Sequence, residues 1–326
     1  MSKKTISSLM KMKGQLSPLD FLLQSLPLAV ELEFSTIPVY LCGMWSIQEQ
    51  QGAVYDLINS IVIEEMLHMG LASNMLNAIG GQPEIDAPGF VPTYPGPLPG
   101  DVRPQLTVAL TGLSTEVVAN MFMQIEYPEG GPIALRLGKP YPTIGAFYDA
   151  IADAFGQLTP AQITGANQLT SQGLGLFAIT CEAEAIQAIT LIKEQGEGTS
   201  QSPYAGNMNT GEFAHYYKFA EIYHGQTLVQ GASGEWDYTG DPIPFPAVYP
   251  VAQVPAGGYP QSHDFDVQFT QLISQLQTAW AQGSQDALGD AIGTMYNLYP
   301  LAQTLMQTPL PGGGGNYAPD FRVASS

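Results

Sequence analysis

Basic residues are scarce in this chain: 10 Lys and Arg stand against 29 Asp and Glu, for a formal net charge of −19 over 326 residues. Lys3, Lys4, Lys11 and Lys13 sit in the leading segment, so the rest of the chain is strongly acidic. Such a surface repels phosphate backbones and anionic lipid, so neither nucleic acid nor membrane is an expected partner. Cations, small molecules and other subunits remain. Cysteine is nearly absent. Cys42 and Cys181 both fall in segments that read as apolar helices, which predicts buried thiols without a disulfide framework and suits a reducing cytoplasm. Long apolar runs are lacking too, none approaching the ~18 residues that span a bilayer. The opening MSKKTISSLMKMKG is positively charged, but Pro18, Asp20 and Gln24 interrupt the stretch after it, so no export signal is expected. No repeat of solenoid type appears.

Apolar residues make up 45% of the chain and aromatics 10%, enough for a substantial core. Helical periodicity predicts an antiparallel pair over about 18–48 and 52–79, the second helix ending at Gly80 and Gly81. From about 83 to 170 the chain reads as an insertion. Its first part is rich in Pro and Gly, LTVAL is a short extended piece, a short helix follows Ser114, and another follows Thr143 over roughly 143–156. These pieces are expected to decorate one side. Further long helices are expected over about 172–196 and 210–230. A second Pro- and Gly-rich stretch precedes a helical extension over about 264–307.

The chain has only four histidines, and three follow a glutamate by three positions: Glu65/His68, Glu212/His215 and Glu221/His224. Glutamate occupies roughly one position in twenty, so the coincidence is informative. On a helix, i and i+3 side chains share a face and can share one metal. The apolar stripe Val54, Ile58, Ile61, Ala72, Leu76, Ile79 centres between Glu65 and His68, while Glu64 falls off that centre as an outer group or a surface charge. Around residue 215 the apolar positions flank Glu212 and His215. Glu221 falls beside Lys218 as a surface or inter-element ion pair, and His224 is not expected to be a ligand. In the first helix Glu33 lies nearer the apolar stripe than Glu31, and Pro38 should bend or widen the helix just beyond it. For the remaining carboxylate, depth along an antiparallel helix favours Glu197 in QGEG, with Glu184 as the alternative.

One Glu from each of two helices and Glu-x-x-His from the other two is the ligand set of ferritin-like di-iron and di-manganese carboxylate proteins. The expected architecture is therefore a single all-α dominated domain over 1–326. It consists of a ferritin-like four-helix bundle with a long insertion and extra C-terminal helices. Two metal ions, iron first and manganese second, are expected on Glu33, Glu65, His68, Glu197, Glu212 and His215. Burying these ionisable groups unpaired would be prohibitive, whereas bound cations make them tolerable. Tyr40, Tyr216 and Tyr217 are read mainly as core packing.

The segments ELEFSTIPVYL, EEMLHMGLASNMLNAIGGQP, QGEG and EFAHYYKFAEIYHG resemble the ferritin-like family of iminophenylpyruvate dimer synthases. YPGPLPGDVRPQLTV, YPTIGAFYDAI and AIGTMYNLYPLAQTLMQTPLPGGGGNYAPDF extend the likeness over nearly the whole chain from about residue 18, with NYAPDF departing from the expected Gly-Pro. Members in bisindole pigment and alkaloid pathways couple two amino-acid-derived imines oxidatively. The resemblance thus implies an oxidoreductase that uses dioxygen or peroxide on a small aromatic or amino-acid-derived substrate. The competing expectation is a ferroxidase or peroxide-consuming protein without an organic substrate. Abundant Gln, Asn and aromatics allow a homo-oligomer.

Overall fold

The computed structural model describes residues 5–128, 143–197, 203–205 and 211–324, and over these the regular secondary structure is helical apart from one short hairpin and isolated bridges, with long irregular connections between the helices. Helix α1 (Ile6–Met12) is closed by a capping box between Thr5 and Ser8. Helix α2 (Pro18–Trp45) starts on Ser17, whose hydroxyl accepts from the Asp20 N–H. Pro18 takes the first helical position, where a missing N–H costs nothing. It continues unbroken through Pro27 and Pro38. Helix α3 (Ala53–Ala78) packs along α2 and ends in a Schellman motif, with Gly81 N–H on Leu76 O and Gly80 N–H on Asn77 O at 3.0 Å each. The turn needs φ +81° at Gly80, which a side chain would strain.

By length and composition α2 could cross a membrane, contrary to the expectation from uninterrupted runs, but 89% of its most apolar window is buried inside the protein. Its apolarity therefore serves the interior. Phe21, Leu22, Leu26, Ala29 and Tyr40 are all closed to solvent.

Helices α4 (Thr115–Val117) and α5 (Met123–Ile125) flank a π turn, Val118–Phe122, and Ser114 caps the run by accepting from Val117 N–H. This segment does not decorate the outside. Val118, Met121, Phe122, Met123 and Ile125 are buried, and Phe122 packs on Tyr40 and Phe219 at ring separations of 5.0 and 5.1 Å. Helix α6 (Ile144–Phe155), capped by Thr143, lies against α2 and α7 (Glu182–Glu197). The chain before Glu182 is not helical, so the expected helix from 172 begins ten residues later, and Cys181 is exposed just ahead of it while Cys42 is buried as expected.

Helix α8 (His215–His224) is shorter than expected, because an antiparallel bridge between Tyr204 and Phe213 holds the preceding residues extended. Strands β1 (Val229–Gln230) and β2 (Trp236–Asp237) pair antiparallel. Helices α9 (His263–Gln282) and α10 (Gln285–Met306) pack together. Trp280 docks on the end of α3 through Asn74 and Asn77, and Phe321 of the C-terminal tail packs among Trp45, Phe265 and Phe269.

Candidate metal centre

Helical spacing does for α2 and α3 what the sequence pattern requires. Glu33 projects from the middle of α2, and Glu65 and His68 project from one face of α3. Two more groups meet them from shorter elements: Glu126, the residue that ends α5, and His215, the first residue of α8. All five are buried, and they form two sets, Glu33–Glu65–His68 and Glu65–Glu126–His215. In each set the potential ligand atoms lie within 4.8 Å of one another. Ligands opposite each other on a first-row metal are about twice a ~2.1 Å bond apart, so the spacing suits a cation in each set with Glu65 common to both.

The imidazoles lie nearly parallel, 22° apart with centroids separated by 5.5 Å. His68 turns Nδ1 toward Glu33 Oε2 (3.5 Å) and Glu65 Oε2 (3.9 Å), while its Nε2 is 2.8 Å from Gln195 Oε1 on α7. His215 turns Nδ1 toward Glu65 Oε1 (2.8 Å) and Glu126 Oε2 (3.6 Å), and its Nε2 is 2.9 Å from Glu64 Oε2. With each Nε2–H donated outward, each Nδ1 lone pair faces the carboxylates, the arrangement a metal-binding histidine needs. Tyr148 donates to Glu33 and Tyr40 to Glu126, and Thr36 Oγ1 lies 3.0 Å from Glu65 Oε2. Lys218 Nζ, buried at 2% residue exposure, reaches both Glu64 oxygens at 2.9 and 3.1 Å.

The buried acids and imidazoles of the cluster shift one another strongly. Burial, and then the charge of Glu126, push Glu65 up to about 7. Burial alone would lower both histidines, but the Glu33 hydrogen bond and the Glu65 and Glu33 charges raise His68, and the neighbouring Glu126, Glu64 and Glu65 raise His215 well above its usual range. Glu64 behaves oppositely. Although burial would raise it, His215 and Lys218 bring it down to about 2. Burial raises Tyr40 and Tyr148, reinforced by the adjacent carboxylates, so both hydroxyls keep their protons. His215 Nδ1 is a buried ring nitrogen without a hydrogen-bond partner, despite its proximity to Glu65. The donor set fits a carboxylate-rich pair of metal ions.

Of the residues singled out from the sequence, the structure brings Glu33, Glu65, His68 and His215 together, with Glu33 and not Glu31 in the cluster. Glu212 does not join them. It precedes α8 on the extended segment, where the i,i+3 argument fails, and its carboxylate is 60% exposed, 3.5 Å from Lys218. The side chain of Glu197 lies outside the described residues. Glu184 accepts from the N–H and hydroxyl of Thr180, both at 2.6 Å, on the exposed side of α7. Glu126, not singled out from the sequence, is a further carboxylate of the cluster among the described residues. Its signal in the sequence was a lone acid closing the apolar run VVANMFMQI. Glu221 is not a surface charge: it is buried and accepts from Leu228 N–H at 2.7 Å. His224 is exposed and stacks on Tyr238. Tyr148 and Gln195 carry no pattern that sequence reasoning could have used.

A cavity of about 50 Å³ opens on Glu33, Glu65, His68 and Glu126, with an apolar wall that includes Leu98, Ile144 and Ile192. One water needs ~10–15 Å³ by this measure, so the space suits a few waters or a diatomic molecule.

The ferritin-like family profile matches residues 26–224, a span that contains the whole cluster. A solved structure, that of a ferritin-like protein from Caulobacter vibrioides, is similar with a TM-score of 0.62 and 23% identity, over 91% of this chain and 97% of that one. At that identity the likeness speaks for the fold alone. No curated protein matches the chain.

Proposed function

This chain belongs to the ferritin-like family, and from that premise we propose that it is a di-metal oxidoreductase, holding two iron or manganese ions and using dioxygen or peroxide to oxidise a small amino-acid-derived or aromatic molecule. The observation that carries the reading is Glu65, one buried carboxylate common to two ligand sets that each have a histidine Nδ1 turned inward. Glu33, His68, Glu126 and His215 would hold the ions, with Glu65 between them. When bound, such a pair supplies the electron steps that dioxygen or peroxide reduction requires.

The protein's own groups do the positioning. Gln195 and Glu64 fix the two imidazole orientations, while Tyr148 and Tyr40 each donate a hydrogen bond that holds a terminal carboxylate. The cavity beside Glu33 has an apolar wall that includes Leu98, Ile144 and Ile192. The resemblance to iminophenylpyruvate dimer synthases suggests the substrate class, an imine of an aromatic amino acid.

The size of the cavity favours a second reading. About 50 Å³ admits an oxidant or a metal ion more readily than an aromatic guest, as a ferroxidase or peroxide-consuming protein would need. Metal-free protein loaded with iron(II) without oxygen separates the two. The oxidoreductase should retain about two irons per chain, and dioxygen uptake should stop once the resident iron is oxidised and resume with the imine. Sustained uptake on added iron(II) alone would support metal handling. Failure to retain iron or manganese would overturn both readings.

A further inference from the structure

Building on the di-metal reading above, we propose that the two metal positions are unequal and that Glu64 makes them so. The position at His215 fills first and tightly, whereas the position at His68 binds more weakly and meets small exogenous ligands. The two halves of the cluster otherwise match closely. Each has one imidazole with Nδ1 toward Glu65, one further carboxylate, and one buried tyrosine donating to that carboxylate.

The acceptor behind each ring differs. Behind His68, at 2.8 Å, is the neutral amide oxygen of Gln195; behind His215, at 2.9 Å, is the carboxylate of Glu64. An ionised acceptor draws the Nε2–H more strongly than an amide does, which makes the opposite nitrogen a better electron donor to a cation. Lys218 bonds both Glu64 oxygens and also reaches Ser60 Oγ at 3.2 Å, so it pins the carboxylate against the ring and balances its buried charge. Lys218 holds Glu64 from outside the cluster, and the carboxylate stands between the ammonium and the imidazole. Lys218 and Glu64 are thus positioning residues that act on the metal through His215.

Access breaks the symmetry in the same direction. The cavity is lined by Glu33 and His68, together with Glu65 and Glu126, while His215 and Glu64 are not among its lining residues. A ligand arriving through it reaches the His68 side first. The weaker position is therefore also the open one.

Cobalt(II) titration of the metal-free protein, followed by calorimetry and the visible spectrum, tests this without reference to turnover. The wild type should bind in two steps separated by at least tenfold, and azide should perturb the spectrum only after the second equivalent. Glu64→Gln, nearly isosteric, should weaken the first step by roughly 10–100-fold and leave the second, merging the two. Gln195→Glu should strengthen the second step. Two equal sites in the wild type, or equal weakening of both steps by Glu64→Gln, would overturn the proposal while leaving the di-metal reading intact. Wild type that binds neither cobalt(II) nor iron(II) would sink that reading itself. Should Glu64→Gln fail to fold by circular dichroism, Gln195→Glu decides, and an unchanged second step refutes the inference.

Discussion

The α2–α3 pair and the α4–α5/α8 side hold their ligands in different ways. In α2 and α3, helices of 28 and 26 residues, Glu33, Glu65 and His68 sit well inside continuous hydrogen-bonded turns, so helical geometry alone sets their directions. Opposite them, Glu126 ends a run of two three-residue helices and a π turn, and His215 opens a ten-residue helix. Helices that short are marginal by themselves and take their stability from packing. Phe122, Phe219 and Tyr40 provide it, packed edge-on or tilted with ring centroids 5.0–5.1 Å apart. One half is preformed by its own backbone. The other is positioned by what it packs against, and metal binding should contribute most there.

Substitution of individual ligands gives the sharpest contrast. Glu65→Ala removes the group common to both sets and should reduce bound metal from about two equivalents to nearly none. Glu126→Ala should cost chiefly the His215 position, and Glu212→Ala should cost neither. Metal analysis of the three purified variants decides. If Glu212→Ala loses as much metal as Glu126→Ala, the assignment of Glu126 is wrong.

Metal removal should then split the halves. A ligand at a hundred times its Kd stabilises the folded state by about 2.7 kcal/mol, and chelation should withdraw that stabilisation unevenly. Hydrogen exchange should accelerate most over 115–126 and 215–224, where the ligands sit at helix ends, and least over the middle of α2 and α3. Uniform acceleration would show that the long pair is no more preformed than its counterpart.

The same contrast explains what the sequence made legible. Periodicity located α2 and α3 to within a few residues and turned Glu65, His68 and Glu33 inward, where the structure gathers them, because long amphipathic helices write their orientation into the chain. His215 was found through the same rule applied where only half of it holds: the residue three positions earlier is extended, so Glu212 accompanied His215 in the sequence pattern but not in the cluster. Glu126 was missed because a three-residue helix has no period to detect and a π turn shifts whatever register there is. Lys218 was assigned to Glu221, its i,i+3 neighbour, whereas the structure pairs it with Glu64 on another helix, a tertiary contact that local spacing cannot encode.

A smaller effect, from outside both halves, overlaps with the pH dependence of the metal-free cluster. Glu65, at about 7, is protonated in the folded metal-free protein under conditions where the unfolded chain is ionised, so folding takes up a proton. That stability is full below the usual carboxylate range and is lost as pH rises through about 7. Asp266 in the first turn of α9 has the same sign: burial, then the hydrogen bond and charge of Asp320 in the C-terminal tail, push it up to about 8. The two slopes would be confused in a single melting series from pH 5 to 9. Asp266→Asn removes the second while keeping the site able to accept from the Arg322 N–H, 3.3 Å away. The variant's Tm should therefore fall less toward pH 9 than that of the wild type. Because Asp266 is only half-buried, solvent screening keeps the difference below that from metal loss. Adding metal to the variant should flatten what slope remains by replacing the proton on Glu65. An Asp266→Asn profile that keeps the full wild-type slope would assign the entire alkaline loss to the cluster.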